Sequence, residues 1–125
     1  MQENHYGAIT EVFYLVLLAT FQPRHGYGII QFISAHTEGR LTLGAGTLYG
    51  ALNTLVNRGW IALADEAAPI TSSPSRRKDY QITVAGREAV IREIQRFQAL
   101  SALGLQISGE RLDILEHDAA MEKCE

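Results

Sequence analysis

The sequence predicts a mainly α fold with one small β-hairpin, on three observations. Apolar residues recur at helical spacing in three stretches of the first 60 residues. Two short segments then flank a Pro/Ser-rich turn between residues 60 and 83, as the strands of a hairpin do. A long apolar stripe follows the hairpin. A hairpin directly after a third helix is the layout of a winged helix-turn-helix, extended here by a long C-terminal helix.

The first two helices are predicted over residues 8–20 and 24–37. The first is apolar around most of its circumference, so it is central in a core or also buried against a second subunit. Pro23 separates the two helices, and Gly39 closes the second as a left-handed cap. Glycines near its start indicate close packing against a neighbouring backbone. The inner stripe of the second helix is predicted to be Tyr27, Ile30, Ile33 and Phe32.

The third helix lies within residues 41–61 and presents an unusual outer face. Its buried face is predicted to be Leu48, Leu52, Leu55 and Val56. The opposite face is small, polar and almost uncharged: Thr47, Gly50, Asn53, Thr54 and Asn57. Such a face suits a helix that lies against a partner such as a DNA groove, but it also suits an ordinary half-buried helix. This stretch alone leaves both interpretations open.

The hairpin is predicted from strands over residues 60–65 and 77–83, with Tyr80 and Ile82 on one face of the second strand. Its tip has three adjacent cations: Arg76, Arg77 and Lys78. Such cations can neutralise phosphates or enter a narrow minor groove. Three charges are also common on a solvated loop, but their place beside the third helix favours the phosphate interpretation.

A long helix is predicted from Val84 to about Leu105, with Thr83 as its N-cap. Its stripe spans more than five turns: Val90, Ile91, Ile94, Phe97, Leu100 and Leu103. Too little chain remains to cover this stripe, so dimerisation is expected. Ser108 and Gly109 break the pattern, and residues 110–125 form either a short amphipathic helix or a frayed end. We therefore expect a winged-helix DNA-binding domain at 1–83, then a dimerisation helix and acidic tail at 84–125.

Composition and charge distribution indicate where the chain is located and which part of it can bind DNA. The apolar run from Val12 to Phe21 is much shorter than the roughly 20 residues of a membrane span, and no basic segment marks a signal peptide. The single cysteine, Cys124, excludes an internal disulfide. A cytoplasmic protein is therefore expected. Residues 81–125 have five basic and eight acidic side chains, so the whole net charge of −3 lies there. A DNA surface is expected only in the first eighty residues.

Enzyme chemistry is not indicated. The four histidines, at positions 5, 25, 36 and 117, have no metal-ligand spacing, and Cys124 has no nearby partner in the sequence. The chain has no Gly-rich phosphate loop or nucleophile elbow. We therefore expect no catalytic residues, cofactor or metal.

Several motifs in a fixed order resemble the PadR family of bacterial transcriptional regulators. They are Pro23-x-His25-Gly26-Tyr27, Gly46-Thr47-Leu48-Tyr49-x-Ala51-Leu52-x-x-Leu55, Gly59-x-Ile61, Arg76-Arg77-Lys78 with Tyr80, and Thr83-x-x-Gly86-Arg87. The likeness covers roughly residues 8–100, and the single helix after the hairpin resembles the shorter PadR-like subfamily. The resemblance implies a homodimeric winged-helix repressor of a near-palindromic operator. It also implies possible release by a small aromatic effector.

The resemblance also implies DNA-binding residues. Tyr49 would contact DNA, Thr47 would lie at the amino end of the recognition helix, and the three wing cations would meet phosphates. In physical terms, the Thr47 hydroxyl can bind a phosphate, the Asn53 amide can pair with an adenine edge, and Arg40 can add a phosphate contact. Tyr49 as a core tyrosine and Asn53 as a solvent-facing amide remain alternatives, and Tyr27 is expected to pack rather than contact DNA.

Two further sets of residues are predicted. The dimer interface is expected to contain Val90, Ile94, Phe97, Leu100 and Leu103. The residues expected to line an effector pocket are Phe13, Tyr14 and Phe97, with ordinary core packing as the alternative.

Departures from the family pattern concentrate at the start of the third helix. Gly44-Ala45 replaces a common Ser-Pro, and Gly50 replaces a common proline. Gly44 removes a hydroxyl N-cap, and glycine costs about 1 kcal/mol relative to alanine in a helix interior. The competing function is a winged-helix module that binds protein, for example through its acidic C-terminal third.

Overall fold

The structure is a computed structural model that describes residues 9–64 and 78–124, with side chains described as far as Gly109. The elements are α1 (Glu11–Ala19), β1 (Arg24–His25), α2 (Gly26–His36), α3 (Ala45–Asn57), β2 (Ile61–Leu63), β3 (Asp79–Ile82) and α4 (Val84–Cys124). The predicted mainly α fold with a small hairpin is confirmed. Within the described ranges, no helix is long and apolar enough to cross a membrane.

The first helix, α1, is bounded by two threonines. The Thr10 hydroxyl accepts a hydrogen bond from the Phe13 amide at 3.2 Å, which satisfies one free N–H at the helix start. At the other end, the buried Thr20 hydroxyl donates to the carbonyls of Val16 and Leu17. The helix therefore begins at Glu11, three residues later than the sequence predicts.

The core lies between the first three helices, the sheet and the start of α4. Its fully buried large side chains include Leu17, Ile29, Ile33, Leu48, Leu52, Leu55 and Ile61. The predicted inner stripes are wrong at two positions. Tyr27 is 63% exposed, because α2 begins only at Gly26 and directs Ile29 and Ile33 inward. Val56 is 39% exposed, and Ala51 takes its place on the buried face of α3.

The sheet has three antiparallel strands in the order β1-β3-β2. In the predicted hairpin, Ile61 pairs with Ile82 and Leu63 pairs with Tyr80. The strand β1 is an addition that the sequence does not predict, and it pairs Arg24 with Tyr80. This pairing places the start of α2 beside β3. The predicted turn at residues 67–75 lies outside the described residues.

The start of α4 is joined to the end of α3. The Thr83 hydroxyl accepts from the Gly86 amide at 3.1 Å, which confirms the predicted N-cap, and donates to the Gly59 carbonyl at 2.6 Å. Gly59 has a φ of 79°, so glycine is the favoured residue where α3 ends. Gly86 lies so close to the Trp60 carbonyl that a side chain there would collide with it.

The chain divides into two compact units, residues 1–91 and 92–125. The expected domain boundary at residue 83 stays a prediction. Helix α4 extends to Cys124, and Ser108 interrupts its geometry with a φ of −116° and a ψ of 23°, where the sequence predicts a break. The helical alternative for residues 110–125 is thus observed as far as Cys124, and Glu125 lies outside the described residues.

Candidate nucleic-acid interface

The exposed side chains of α3 are uncharged and, apart from Tyr49, small, and we call this side the outward face. Its members are Gly46, Thr47, Tyr49, Gly50, Asn53, Val56 and Asn57. The buried side holds Leu48, Ala51, Leu52 and Leu55, which pack into the core. The outward face therefore leaves backbone and short polar groups accessible, a composition suited to close approach by a partner.

The amino end of α3 is open, as the Gly44 substitution predicts. Gly44 has the extended backbone of an N-cap but, within the part of the chain that the structure describes, no side-chain hydrogen bond caps the helix. Ala45 and Gly46 follow and are exposed. Free N–H groups and the helix dipole favour an anion at such an end, and Thr47 lies in this first turn.

Tyr49 is half-exposed rather than buried, which removes the core-tyrosine alternative for its ring. It is 49% exposed, and one part of the ring rests on the first residue of α2. A Cβ built on Gly26 would lie 2.9 Å from Tyr49 Cζ and closer still to the hydroxyl oxygen. Tyr80 of β3 is a further neighbour: burial raises its pKa first, and the Tyr49 phenol adds to that rise.

Arg40 lies in the segment before α3 and is paired with Glu11 of α1. The two exposed side chains form an ion pair. The hydrogen bond and the partner's charge raise the pKa of Arg40, and the same interactions lower the pKa of Glu11. An exposed pair of this kind contributes little to stability, so Arg40 remains accessible to a competing anion.

The wing cations are only partly described. Lys78 is exposed and directly precedes β3, whose first residue, Asp79, pairs with His25. Arg76 and Arg77 lie outside the described residues. The structure thus places Lys78 directly before β3, and DNA binding by the three wing cations stays a prediction.

The predicted dimer residues fall into two groups. Val90 is only 3% exposed and belongs to the core of the first unit. The other four, on the second unit, are exposed large apolar side chains: Ile94, Phe97, Leu100 and Leu103. Glu93, the residue before Ile94, is buried and forms an ion pair with Arg96. We call Ile94, Phe97, Leu100 and Leu103 the exposed apolar face of α4; Ile91, Leu105 and Ile107 of the same helix are exposed as well.

The predicted effector residues lie on different units. Phe13 and Tyr14 are half-buried and pack against the core of the first unit. The Arg58 guanidinium lies 5.3 Å from the centre of the Phe13 ring. Phe97 belongs to the second unit. No group of histidine, cysteine and carboxylate side chains within residues 9–64 and 78–109 is arranged to hold a metal ion.

A family profile decides the classification. The profile described as the transcriptional regulator PadR-like family matches residues 15–92, well over half of the chain. The chain belongs to the PadR-like family. Members of this family are transcription regulators rather than enzymes, and they bind DNA, typically as dimers. The family predicted from the motifs is therefore confirmed.

Solved structures share the PadR-like fold. A PadR family transcription regulator from Clostridium difficile R20291 is 21% identical, with 78% of this chain and 98% of that chain covered and a TM-score of 0.63. A transcriptional regulator from Clostridium thermocellum is 21% identical, covers 79% and 97%, and has a TM-score of 0.62. A PadR family regulator from Eggerthella lenta DSM 2243 is 23% identical, covers 84% of each chain, and has a TM-score of 0.59. A search of the curated proteins found no significant match.

Sequence reasoning missed the neighbours of two predicted DNA-binding residues. Tyr49 rests on Gly26 and adds to burial in raising the pKa of Tyr80, and Glu11 pairs with Arg40. The glycines at the start of α2 predict close packing against a backbone, but the close contact at Gly26 is with the Tyr49 side chain. Neither Glu11 nor Tyr80 has a local pattern that indicates its partner.

Proposed function

We propose that this PadR-like chain is a homodimeric repressor that inserts α3 into the major groove of a near-palindromic operator. The observation that supports this most is the outward face of α3. Its exposed side chains are uncharged and, apart from Tyr49, short, so the helix can come close to base edges. Thr47 and Tyr49 then bind the DNA backbone, and Asn53, one turn later, binds an adenine edge.

Phosphate contacts come from the cations around α3. Arg40 precedes the helix, and Lys78 directly precedes β3. Together with Arg76 and Arg77 they form a basic set in the part of the chain that lacks the acidic excess. Each phosphate that a cation neutralises releases condensed counterions, so the affinity falls as salt rises.

The second subunit is proposed from the exposed apolar face of α4. Contiguous apolar patches on a surface mark interaction sites, and a second copy of the same helix offers a matching surface. A two-fold dimer must place its recognition helices about 34 Å apart to meet successive major grooves. The operator is therefore expected to be an inverted repeat with half-sites about one helical turn apart.

A binding experiment tests this function. Fluorescence anisotropy with DNA from upstream of the chain's own gene should show salt-sensitive binding. An Arg76/Arg77/Lys78 triple-alanine variant should bind more weakly, and its salt slope should fall by about 1 for each lost phosphate contact. A control that replaces Arg92, Arg111 and Lys123 by alanine removes the same charge from the acidic third. Equal binding by wild type and wing variant would remove the wing from the mechanism.

Further titrations test whether an effector releases the DNA and whether the chain is instead a protein-interaction module. A planar aromatic effector that contacts Phe13, Tyr14 or Phe97 should lower DNA affinity in a saturable way, and alanine at these positions should abolish that response. If the chain is instead a protein-interaction module, it should show no salt-dependent binding to its upstream DNA and should bind a protein partner instead.

A further inference from the structure

Tyr49 is held in place by a residue from another helix. Its ring extends from the outward face of α3 to the first residue of α2, where Gly26 is buried. An ideal Cβ on Gly26 would lie 2.9 Å from Tyr49 Cζ, and real Cβ contacts under 3.0 Å essentially do not occur. The ring therefore occupies the space that any other residue at position 26 would fill.

The obstruction at Gly26 concerns Tyr49 specifically. The next nearest atom to the Cβ position is Leu48 Cδ2 at 3.4 Å, an ordinary van der Waals distance. No backbone atom is among these three nearest atoms. A methyl group at position 26 would thus displace the end of the Tyr49 side chain rather than a backbone atom.

The sheet lies beside the start of α2. Arg24 of β1 pairs with Tyr80 of β3, which brings β3 next to Gly26. Tyr80 is half-buried, and the Tyr49 phenol raises its pKa further. Tyr49 thus extends from α3 to the start of α2, with about half of its surface open to solvent. The hydroxyl end of the ring lies against Gly26 before any partner arrives.

We propose that Gly26 is a positioning residue for DNA binding: it leaves the space in which the Tyr49 ring is fixed, so that the hydroxyl can donate to a DNA phosphate. This inference rests on the proposed function. A side chain that is already ordered loses little rotamer freedom when it binds, so the contact contributes more to affinity.

A double-mutant cycle on operator affinity tests this positioning role. Gly26→Ala should weaken binding by about tenfold, because each half-site loses up to about one net hydrogen bond. Tyr49→Ala should weaken it at least as much, and Gly26→Ala should add nothing in the Tyr49→Ala background. Gly28→Ala is the matched control. It lies in the same turn of α2, but its Cβ would meet only the His25 ring, at 3.3 Å or more, so wild-type affinity is expected.

The outcomes separate this inference from the proposed function. Operator binding that is lost in Tyr49→Ala but normal in Gly26→Ala overturns the positioning role and leaves the proposed function intact. Additive losses in the double variant also overturn it. A wild-type protein that binds no DNA overturns both.

A measurement without DNA tests the geometric basis. The free wild-type protein should show NOEs between the Tyr49 ring protons and the Gly26 Hα protons. In Gly26→Ala the ring should lose its contacts with residue 26, while the thermal unfolding midpoint stays close to that of the Gly28→Ala control. Absence of the wild-type NOEs, or a Gly26→Ala protein that fails to fold, would overturn the inference.

Discussion

Gly86 is the position where the smallest substitution should have the largest effect on stability. A Cβ there would lie 3.0 Å from the Trp60 carbonyl carbon, closer to its oxygen, and 2.7 Å from Ile82 Cγ1. The Trp60 atoms are backbone and cannot rotate away. The same carbonyl accepts a hydrogen bond from the Thr83 amide at 2.9 Å, so any movement also weakens the junction between β2 and α4.

The expected loss follows from three contributions. Overpacking costs about 1–3 kcal/mol, and contact with backbone places this site near the upper end. Weakening one hydrogen bond costs up to about 1 kcal/mol more, whereas replacing glycine by alanine in a helix returns about 1 kcal/mol. Gly86→Ala should therefore lower the free energy of unfolding by about 3 kcal/mol.

Denaturant unfolding at fixed protein concentration measures this loss, since dimer formation makes stability concentration-dependent. Gly50→Ala is the control: it also lies inside a helix of the first unit, but its Cβ would meet open space. That variant should gain up to about 1 kcal/mol. A Gly86→Ala protein as stable as Gly50→Ala would refute the packing described for the α4 start.

Three other predictions concern charge, assembly and pH. Glu11→Gln should free Arg40 and strengthen DNA binding a few-fold, an effect that should vanish when Arg40 is alanine; an unchanged affinity would exclude Arg40 as a phosphate contact. Glutamate at both Leu100 and Leu103 should convert a dimer into a monomer by light scattering and abolish operator binding, and an unaltered mass would exclude this face as the interface. Because burial and Tyr49 raise the Tyr80 pKa above its usual value near 10, its contribution to stability should be complete below that pH and decline above it. Tyr80→Phe should show a weaker decline in chemical denaturation, and an identical pH profile would contradict this.

The sequence predicted what depends on local patterns. The order of helices and hairpin, the Thr83 cap and the break at Ser108 follow from periodicity and from the preferences of single residues. The buried faces are predicted only in part. Tyr27 and Val56 are predicted in the core but are exposed, because periodicity gives the spacing of a stripe but not its centre, which depends on where packing starts the helix.

Contacts between distant segments of the chain could not be predicted from the sequence. The strand β1 has only two residues, and nothing in them indicates pairing with β3. Glu11 and Arg40 are 29 residues apart, and the contact of Tyr49 with Gly26 joins separate helices. Such contacts appear only when tertiary packing brings their elements together. Individual residues of the candidate interface are thus predicted from the sequence, whereas their contacts with other segments are not.

Sequence-specific DNA binding by α3 is best tested by the salt dependence of binding to the inverted repeat predicted upstream of the chain's own gene. One dimer should bind each repeat, with log affinity falling linearly as log salt rises. The Arg76/Arg77/Lys78 triple-alanine variant should show a shallower slope. Alanine at Asn53 should weaken binding and relax specificity at one base pair, by about 1–3 kcal/mol. Binding that is independent of salt, or equal for the repeat and a scrambled sequence, would contradict a sequence-specific role for α3.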